Sequence, residues 1–193
     1  MSPIIQMPLH RLFVPGHRGG TLSALAAIAF LVLVNCAPQH RPVGPTTNDE
    51  KRAKIEAMYE EFRPEFPDAE EIDVEGFLKL QARGEVLLVD VREDKERAIS
   101  TIPGSISKAD FEELGDDLID VPVVVHCTIG YRSARYVESL KDRGVHAYNL
   151  KGSILSWVHA GQHVVDPEGN ETKRVHVYGK RWDLLPEGYE ALW

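Results

Sequence analysis

One stretch decides the fold of this chain, VPVVVHCTIGYRS at residues 121–133. It opens with a short run of β-branched apolar residues, which is typical of a strand buried on both faces of a parallel sheet. After Gly130, apolar residues recur at spacings of three as far as Leu140 and a glycine follows soon after, which predicts a helix over residues 133–143. Cys127 therefore lies at a predicted strand-to-helix junction.

The position of Cys127 favours a reactive thiolate. The first N–H groups of a helix have no partners within the helix, and together with the helix dipole they favour an anion in the preceding loop. A helix N-terminus and a nearby cation such as Arg132 lower the pKa of a cysteine. The sequence thus predicts a nucleophile at Cys127; the alternative is a small, buried, apolar cysteine that ends the strand.

Further strands and helices are predicted on both sides of this stretch. Residues 85–91 and 145–150 resemble buried strands, and helical patterns cover residues 74–83 and 109–118. Alternating strands and helices predict an α/β fold with a parallel sheet and helices on both faces. Ligands bind such sheets at the carboxyl ends of the strands, where Cys127 and the segment Asp90-Val91-Arg92 both lie.

The loop CTIGYRS, residues 127–133, resembles the active-site loop of single-domain rhodaneses, C-x-x-G-x-R-S. The resemblance extends, in the order of that family, to LLVDVRE at 87–93, IPGSI at 102–106 and LKGSILSW at 150–157. It implies a rhodanese-like sheet and a sulfurtransferase that needs no cofactor or metal. Cys127 would take a sulfur from a small anionic donor such as thiosulfate, hold it as a persulfide and pass it to a thiol or cyanide.

The resemblance also assigns roles to the residues around the nucleophile. Backbone N–H groups of Thr128, Ile129, Gly130, Tyr131 and Ser133 would stabilise the persulfide anion, and Arg132 would bind the donor. Two interpretations of Asp90 and Arg92 stay open: either Arg92 adds positive potential at the site and Asp90 orients it, or the two form an ion pair that fixes the end of the strand.

Two rival functions share the predicted fold. One is a phosphatase or arsenate reductase, whose loop follows the pattern C-x5-R, whereas Arg132 follows Cys127 after four residues. The other is a non-catalytic rhodanese-like binding module, against which the intact cysteine argues. A metal site at His159, His163 and His176 is conceivable, but no acidic or thiolate ligand follows at a diagnostic spacing.

The N-terminus resembles a targeting segment. Residues 1–36 combine two arginines, no acidic residue and an apolar run of the length of a signal-peptide core, and Leu33-Val34-Asn35-Cys36 resembles a lipoprotein box with Cys36 as the lipidated residue. This predicts export to the periplasmic side and attachment to the membrane as a lipoprotein or through an uncleaved anchor; ordinary cleavage is the third outcome. The rest of the chain carries a formal charge of −10, which disfavours binding to nucleic acid.

The remaining segments flank the predicted domain. Residues 37–48 are a proline-rich linker, and residues 68–165 are the rhodanese-like domain. Between them, residues 49–67 form a segment with an amphipathic helix that is capped by Asn48 or Asp49 and runs to about Phe62. Residues 166–193 are predicted to complete a hairpin in which residues 164–165 pair with residues 175–178. An aromatic tail follows that either covers the domain, the favoured interpretation, or meets a partner.

Overall fold

The computed structural model describes residues 44–84, 86–115 and 120–193. The predicted targeting segment with Cys36, and the linker up to residue 43, lie outside the described residues. The described helices are α1 (Asn48–Phe62), α2 (Val74–Arg83), α3 (Asp94–Arg97), α4 (Lys108–Leu114), α5 (Tyr131–Asp142) and α6 (Ser153–His159), with 3-10 turns at Arg63–Glu65 and Lys180–Trp182. None of the helices in these ranges is long and apolar enough to cross a bilayer.

Nine short strands accompany these helices in the same ranges. They are β1 (Glu71–Ile72), β2 (Leu87–Asp90), β3 (Ser105–Ser107), β4 (Val123–His126), β5 (Ala147–Leu150), β6 (Val164–Val165), β7 (Glu171–Thr172), β8 (Arg174–His176) and β9 (Glu190–Leu192). The first five form one parallel sheet in the order β1-β5-β4-β2-β3, with Val123 opposite Leu87 on one side and opposite Ala147 on the other. The predicted α/β class is confirmed.

Both faces of the sheet are covered by helices, as predicted. Successive side chains of a strand point to opposite faces, so Val124 packs with α1, α2 and α6, whereas Val123 and Val125 pack with α4 and α5. All four residues of β4 are buried. The strand therefore runs through the middle of the protein and delivers Cys127 at its carboxyl end.

Helix α1 packs on the domain through the face that the sequence predicts. Ile55, Met58, Tyr59 and Phe62 are all buried. Its N-cap is Thr47, which forms a capping box with Glu50, rather than the predicted Asn48 or Asp49. The helix ends at Phe62, as predicted, and the chain then tightens into the turn Arg63–Glu65 with Pro64 near its start.

The predicted C-terminal hairpin is correct in its turn and wrong in its second strand. Strand β6 pairs antiparallel with β7, around a turn in which the Gly169 N–H donates to the Asp166 carbonyl. The predicted partner, residues 175–178, instead contributes to β8, which pairs parallel with β9. The turn is short, so the residues directly after it, in β7, are the ones that come into register with β6. Val175 and Val177 are instead fully buried in the main core.

Candidate active site

Cys127 lies in the loop between β4 and α5, with its side chain buried. The two donors nearest its sulfur are the Gly130 N–H at 3.2 Å and the Ser133 hydroxyl at 3.5 Å, and the Ser153 hydroxyl lies at 4.0 Å. Gly130 has a φ of 116° and immediately precedes α5, so the loop turns sharply back over the sulfur. The loop thus surrounds the sulfur with donors suited to a negatively charged atom.

The surroundings of Cys127 favour its thiolate. Burial alone would raise its pKa, but the charge of Arg132 and the hydrogen bonds from Ser133 and the Gly130 N–H outweigh that effect and lower the pKa below its usual value. A thiolate is the nucleophilic form of cysteine. The site is therefore suited to attack on an electrophilic sulfur.

The start of α6 fixes the same loop from the other side. Ser153 accepts a hydrogen bond from the Cys127 N–H at 3.0 Å and donates one to the Leu150 carbonyl at 3.1 Å. The N–H groups of Ile154 and Leu155 donate to the carbonyls of Cys127 and Thr128. The sequence did not indicate Ser153 as a site residue, although it lies within the block 150–157 that carries the family resemblance.

Arg132 is held by a buried carboxylate that the sequence did not reveal. Its guanidinium donates to both oxygens of Glu96, at 2.6 and 2.8 Å, and to the Thr128 hydroxyl at 3.1 Å. Glu96 comes from α3 and is completely buried. Burial alone would raise the pKa of Glu96, but the hydrogen bonds from Arg132 outweigh it and keep the carboxylate charged. Arg132 therefore lies beside Cys127 as half of an ion pair, and its predicted binding of the donor stays a prediction.

Asp90 and Arg92 form the buried ion pair that was the second of the two interpretations. The Arg92 guanidinium donates to Asp90 at 2.7 Å and to the Ser100 carbonyl at 2.6 Å, and the Thr101 hydroxyl donates to Asp90 at 2.7 Å. Both charged side chains are inaccessible to solvent, and Arg92 is absent from the walls of the pocket above Cys127. The structure therefore favours the interpretation in which Asp90 and Arg92 fix the end of β2, and it disfavours the predicted binding of substrate by Arg92.

His126 takes part in this buried cluster and not in the sulfur site. Its Nε2 lies 2.9 Å from the Ser105 hydroxyl and 3.8 Å from Asp90. Burial lowers its pKa to about 4, so it is neutral at pH 7. Of the three histidines considered as metal ligands, His159 lies 2.7 Å from the Leu184 carbonyl. Within the described ranges no three His, Cys, Asp or Glu side chains cluster in a way that could hold a metal ion.

A pocket of about 490 Å³ opens above Cys127. The predicted loop residues Thr128, Ile129, Tyr131 and Arg132 form its floor with Cys127, whereas Gly130 and Ser133 lie behind the sulfur. The remaining walls come from the 3-10 turn and α1 (Met58, Glu61, Phe62, Glu65) and from the C-terminal extension (Tyr178, Arg181, Trp182). The sequence indicated an apolar face and an aromatic tail in these segments, but nothing in it indicated that they meet at Cys127.

Comparison with known proteins identifies the family. A family model described as a rhodanese-like domain matches residues 73–160. A sulfurtransferase of Allochromatium vinosum is 33% identical over 105 residues, covering 51% of this chain and 97% of the relative. YtwF of Bacillus subtilis, a candidate sulfurtransferase, is 34% identical over 82 residues, covering 41% of this chain and 80% of the relative.

Two further similarities are to parts of longer proteins. A tRNA sulfurtransferase of Desulfurococcus amylolyticus is 36% identical over 76 residues, which is 38% of this chain and 15% of that protein. The crystal structure of a thiosulfate sulfurtransferase from Pseudomonas aeruginosa is 26% identical with a TM-score of 0.47, covering 64% of this chain and 24% of that one. The residues matched by the family model include the whole loop from Cys127 to Ser133, whereas they leave out α1 and the C-terminal extension.

Proposed function

This chain belongs to the rhodanese-like family, whose named relatives are sulfurtransferases, and on that premise we propose that Cys127 carries a sulfane sulfur from a donor such as thiosulfate to a thiol or to cyanide. One observation supports this role above the others. The Gly130 N–H and the Ser133 hydroxyl converge on a buried cysteine whose pKa is lowered, at the floor of an open pocket.

The reaction then proceeds in two displacements. The Cys127 thiolate attacks the outer sulfur of thiosulfate, the S–S bond of the donor breaks, and sulfite leaves with the bonding electron pair. The acceptor next attacks the outer sulfur of the Cys127 persulfide and restores the thiolate. The group on Cys127 carries one negative charge before and after each step, on Sγ in the thiolate and mainly on the outer sulfur in the persulfide. Donors that line the loop therefore face an anion throughout the cycle.

The individual residues divide this work. The Gly130 N–H and Ser133 hydroxyl stabilise the sulfur anion, and Arg132 lowers the pKa of Cys127 and presents a cation to the donor. Glu96 and the Thr128 hydroxyl orient Arg132. Ser153 holds the Cys127 backbone in place.

Mass spectrometry of the intact protein tests this function directly. After incubation with thiosulfate we expect the protein to gain one sulfur atom and to lose it again on addition of cyanide, with thiocyanate formed. Cys127→Ser is nearly isosteric but forms no persulfide, so it is expected to remain folded and to gain no sulfur. A Cys127→Ser variant that still transfers sulfur, or a wild-type protein that never gains it, would refute the assignment.

We also propose that the protein is exported and held at the membrane through lipidated Cys36. The support is the sequence pattern of residues 1–36 alone. Wild-type protein is expected to fractionate with membranes, and Cys36→Ala to accumulate as a precursor of higher mass, because a lipoprotein carries the several acyl chains that stable attachment needs. Wild-type protein that is processed and found wholly in the soluble periplasmic fraction would contradict lipidation.

A further inference from the structure

The pocket above Cys127 is much larger than the small molecules that the loop can process. Its volume of about 490 Å³ lies in the range of sites that enclose whole organic ligands. Thiosulfate and cyanide are ions of only a few atoms and would leave most of this space empty. Seven of the pocket residues also lie outside the segment 73–160 that matches the family. These walls therefore come from parts of the chain outside the matched domain.

These walls are mainly apolar and aromatic. Phe62 and Tyr131 pack edge to face at 5.3 Å between ring centroids, and Tyr178 and Trp182 of the C-terminal extension line the same pocket. Tyr131 and Tyr178 are 39% and 59% exposed. Exposed aromatic rings around one cavity favour a ligand with an apolar body, because each ring releases further water when it is covered.

The backbone of Tyr178 gives an independent reason to connect this wall with function. Its φ is +70°, a left-handed conformation that bulky side chains rarely adopt. The Tyr178 N–H donates a hydrogen bond to the His176 Nδ1 at 3.1 Å. The centre of the Tyr178 ring lies 5.3 Å from the Arg132 guanidinium. Backbone strain of this kind persists where the surrounding structure enforces it, commonly at ligand sites. Here it places an aromatic ring at the mouth of the pocket.

The charges of the pocket disfavour an anionic acceptor. Glu61 and Glu65 come from α1 and the turn after it, and Arg181 comes from the C-terminal extension. The charge of Arg132 is balanced by the buried Glu96. Once Cys127 carries a persulfide anion, negative groups exceed positive ones among the described residues around the cavity, so a thiol acceptor with an additional carboxylate meets more repulsion than one without it.

We propose that the sulfur acceptor is a small organic thiol with an apolar, ring-sized body and no negative charge besides the reacting sulfur. This proposal rests on the proposed function of Cys127. The thiol loses its proton to solvent, its thiolate attacks the outer sulfur of the persulfide, and a new S–S bond forms. The old S–S bond breaks with its electron pair returning to Cys127, and the product is an organic persulfide.

The test uses protein loaded with sulfur by thiosulfate and then freed of the donor. Discharge is followed by the loss of one sulfur atom from the intact protein, with three thiols of similar basicity as acceptors: ethanethiol, 2-phenylethanethiol and 3-mercaptopropionate. We expect 2-phenylethanethiol to discharge the protein roughly tenfold faster than ethanethiol. Complete burial of an aromatic ring would stabilise the bound acceptor by more free energy than a tenfold difference in rate requires. We expect 3-mercaptopropionate to be the slowest of the three.

Variants of the wall connect the preference to the pocket. Tyr178→Gly removes the ring and relieves the positive φ, so it is expected to fold at least as well as the wild type, and Trp182→Ala removes the neighbouring ring. Both should bring the ratio of the 2-phenylethanethiol and ethanethiol rates close to one. Trp193→Ala is the matched control, because Trp193 is an aromatic residue of the same extension that is 60% exposed and is not part of the pocket wall. It should leave the ratio unchanged.

Three outcomes would overturn the proposal while leaving sulfur transfer intact. The loaded protein would discharge equally fast to ethanethiol and 2-phenylethanethiol, or fastest to 3-mercaptopropionate, or faster to a short cysteine-containing peptide with polar neighbours than to any of the three. Failure of Cys127 to gain sulfur from thiosulfate is a different result, since it contradicts the proposed function itself before any acceptor is added.

Discussion

At the scale of single residues, the site consists of three charged groups in series: the Cys127 sulfur, the Arg132 guanidinium and the Glu96 carboxylate. Arg132 lowers the pKa of Cys127, and its own hydrogen bonds are directed to Glu96 at 2.6 and 2.8 Å. A buried carboxylate keeps the arginine in place but also offsets its charge. The reactivity of the sulfur therefore depends on a balance between two neighbours of opposite sign.

This balance predicts opposite shifts for two conservative substitutions. Arg132→Gln removes the positive charge that stabilises the thiolate, so the pKa of Cys127 should rise and its alkylation by iodoacetamide at pH 7 should slow by roughly tenfold. Glu96→Gln removes the offsetting negative charge, so the pKa of Cys127 should fall and the pH profile should move in the opposite direction. The measurement is the first-order alkylation rate as a function of pH, which increases with the thiolate fraction.

Arg135→Gln is the control for this pair, because Arg135 lies on the exposed face of the same helix. Its profile is expected to match the wild type. If Arg132→Gln and Glu96→Gln moved the alkylation profile in the same direction, the two side chains would act on Cys127 through the shape of the loop and not through their charges.

The sequence predicted the part of this site that is local along the chain. Cys127, Gly130, Arg132 and Ser133 are neighbours in one loop, and their spacing alone indicated a helix start with an anion in front of it. Glu96 is far from this loop in sequence, in a helix of four residues with no apolar periodicity. Its role depends on tertiary contact, which spacing cannot indicate.

At the scale of elements, α1 supports the active-site loop although it lies outside the matched family domain. The Tyr59 hydroxyl accepts a hydrogen bond from the Asn149 amide at 2.9 Å and donates one to Glu71 at 2.7 Å. This fixes the tyrosine ring against Gly130, where an added Cβ would lie 2.6 Å from a ring carbon. The glycine is thus required by its positive φ and also by the close approach of α1.

Two glycine substitutions separate these requirements. Gly130→Ala should lower the free energy of unfolding by about 3 kcal/mol, through an unfavourable φ and a steric clash together, and should slow sulfur loading because the Gly130 N–H is displaced from the sulfur. Gly144→Ala has a φ of +80° but open space around it, so it should cost only about 1 kcal/mol. Denaturant unfolding measures both.

Equal losses for the two variants would mean that the ring of Tyr59 moves aside without cost. In that case α1 would not hold the loop, and its contribution to the site would be limited to the pocket wall.

The helices and strands were predicted correctly where an apolar pattern extends over many residues. The prediction was wrong where the identity of a strand depends on which other strand it pairs with. Strand β4 and helix α5 follow directly from their patterns. The strand β3 and the helix α3 are too short to produce a pattern. Residues 175–178 alternate as a hairpin strand would, yet Val175 and Val177 are buried in the main core and β8 pairs with β9. Local alternation indicates a strand but does not identify its partner.

At the scale of the whole molecule, the question is whether the fold serves sulfur or phosphorus chemistry. The loop of residues 127–133 contains no acidic residue that could protonate a leaving alcohol, which argues against a phosphatase. Folding weakens that argument, since Glu61 and Glu65 join the pocket and the Tyr131 hydroxyl donates to Glu65 at 3.0 Å. A carboxylic acid that could protonate a leaving alcohol is therefore near the nucleophile. The decision depends on the length of the loop.

The loop of four residues between Cys127 and Arg132 predicts sulfur transfer with negligible hydrolysis of aryl phosphates. Its donors lie 3.2 and 3.5 Å from a single sulfur atom, and the two N–H groups of the Arg132 guanidinium that could grip two phosphate oxygens are occupied by Glu96.

One glycine inserted between Gly130 and Tyr131 should widen the loop and reduce sulfur loading at least tenfold, because both donors move away from the sulfur. The same insertion after Gly144, where the structure leaves open space, is the control and should preserve loading. Rates of thiocyanate formation and of aryl phosphate hydrolysis, measured on all three proteins, decide between the chemistries. Efficient phosphate hydrolysis by the wild type, with no sulfur ever gained by Cys127, would make the loop-length argument wrong and favour a phosphatase.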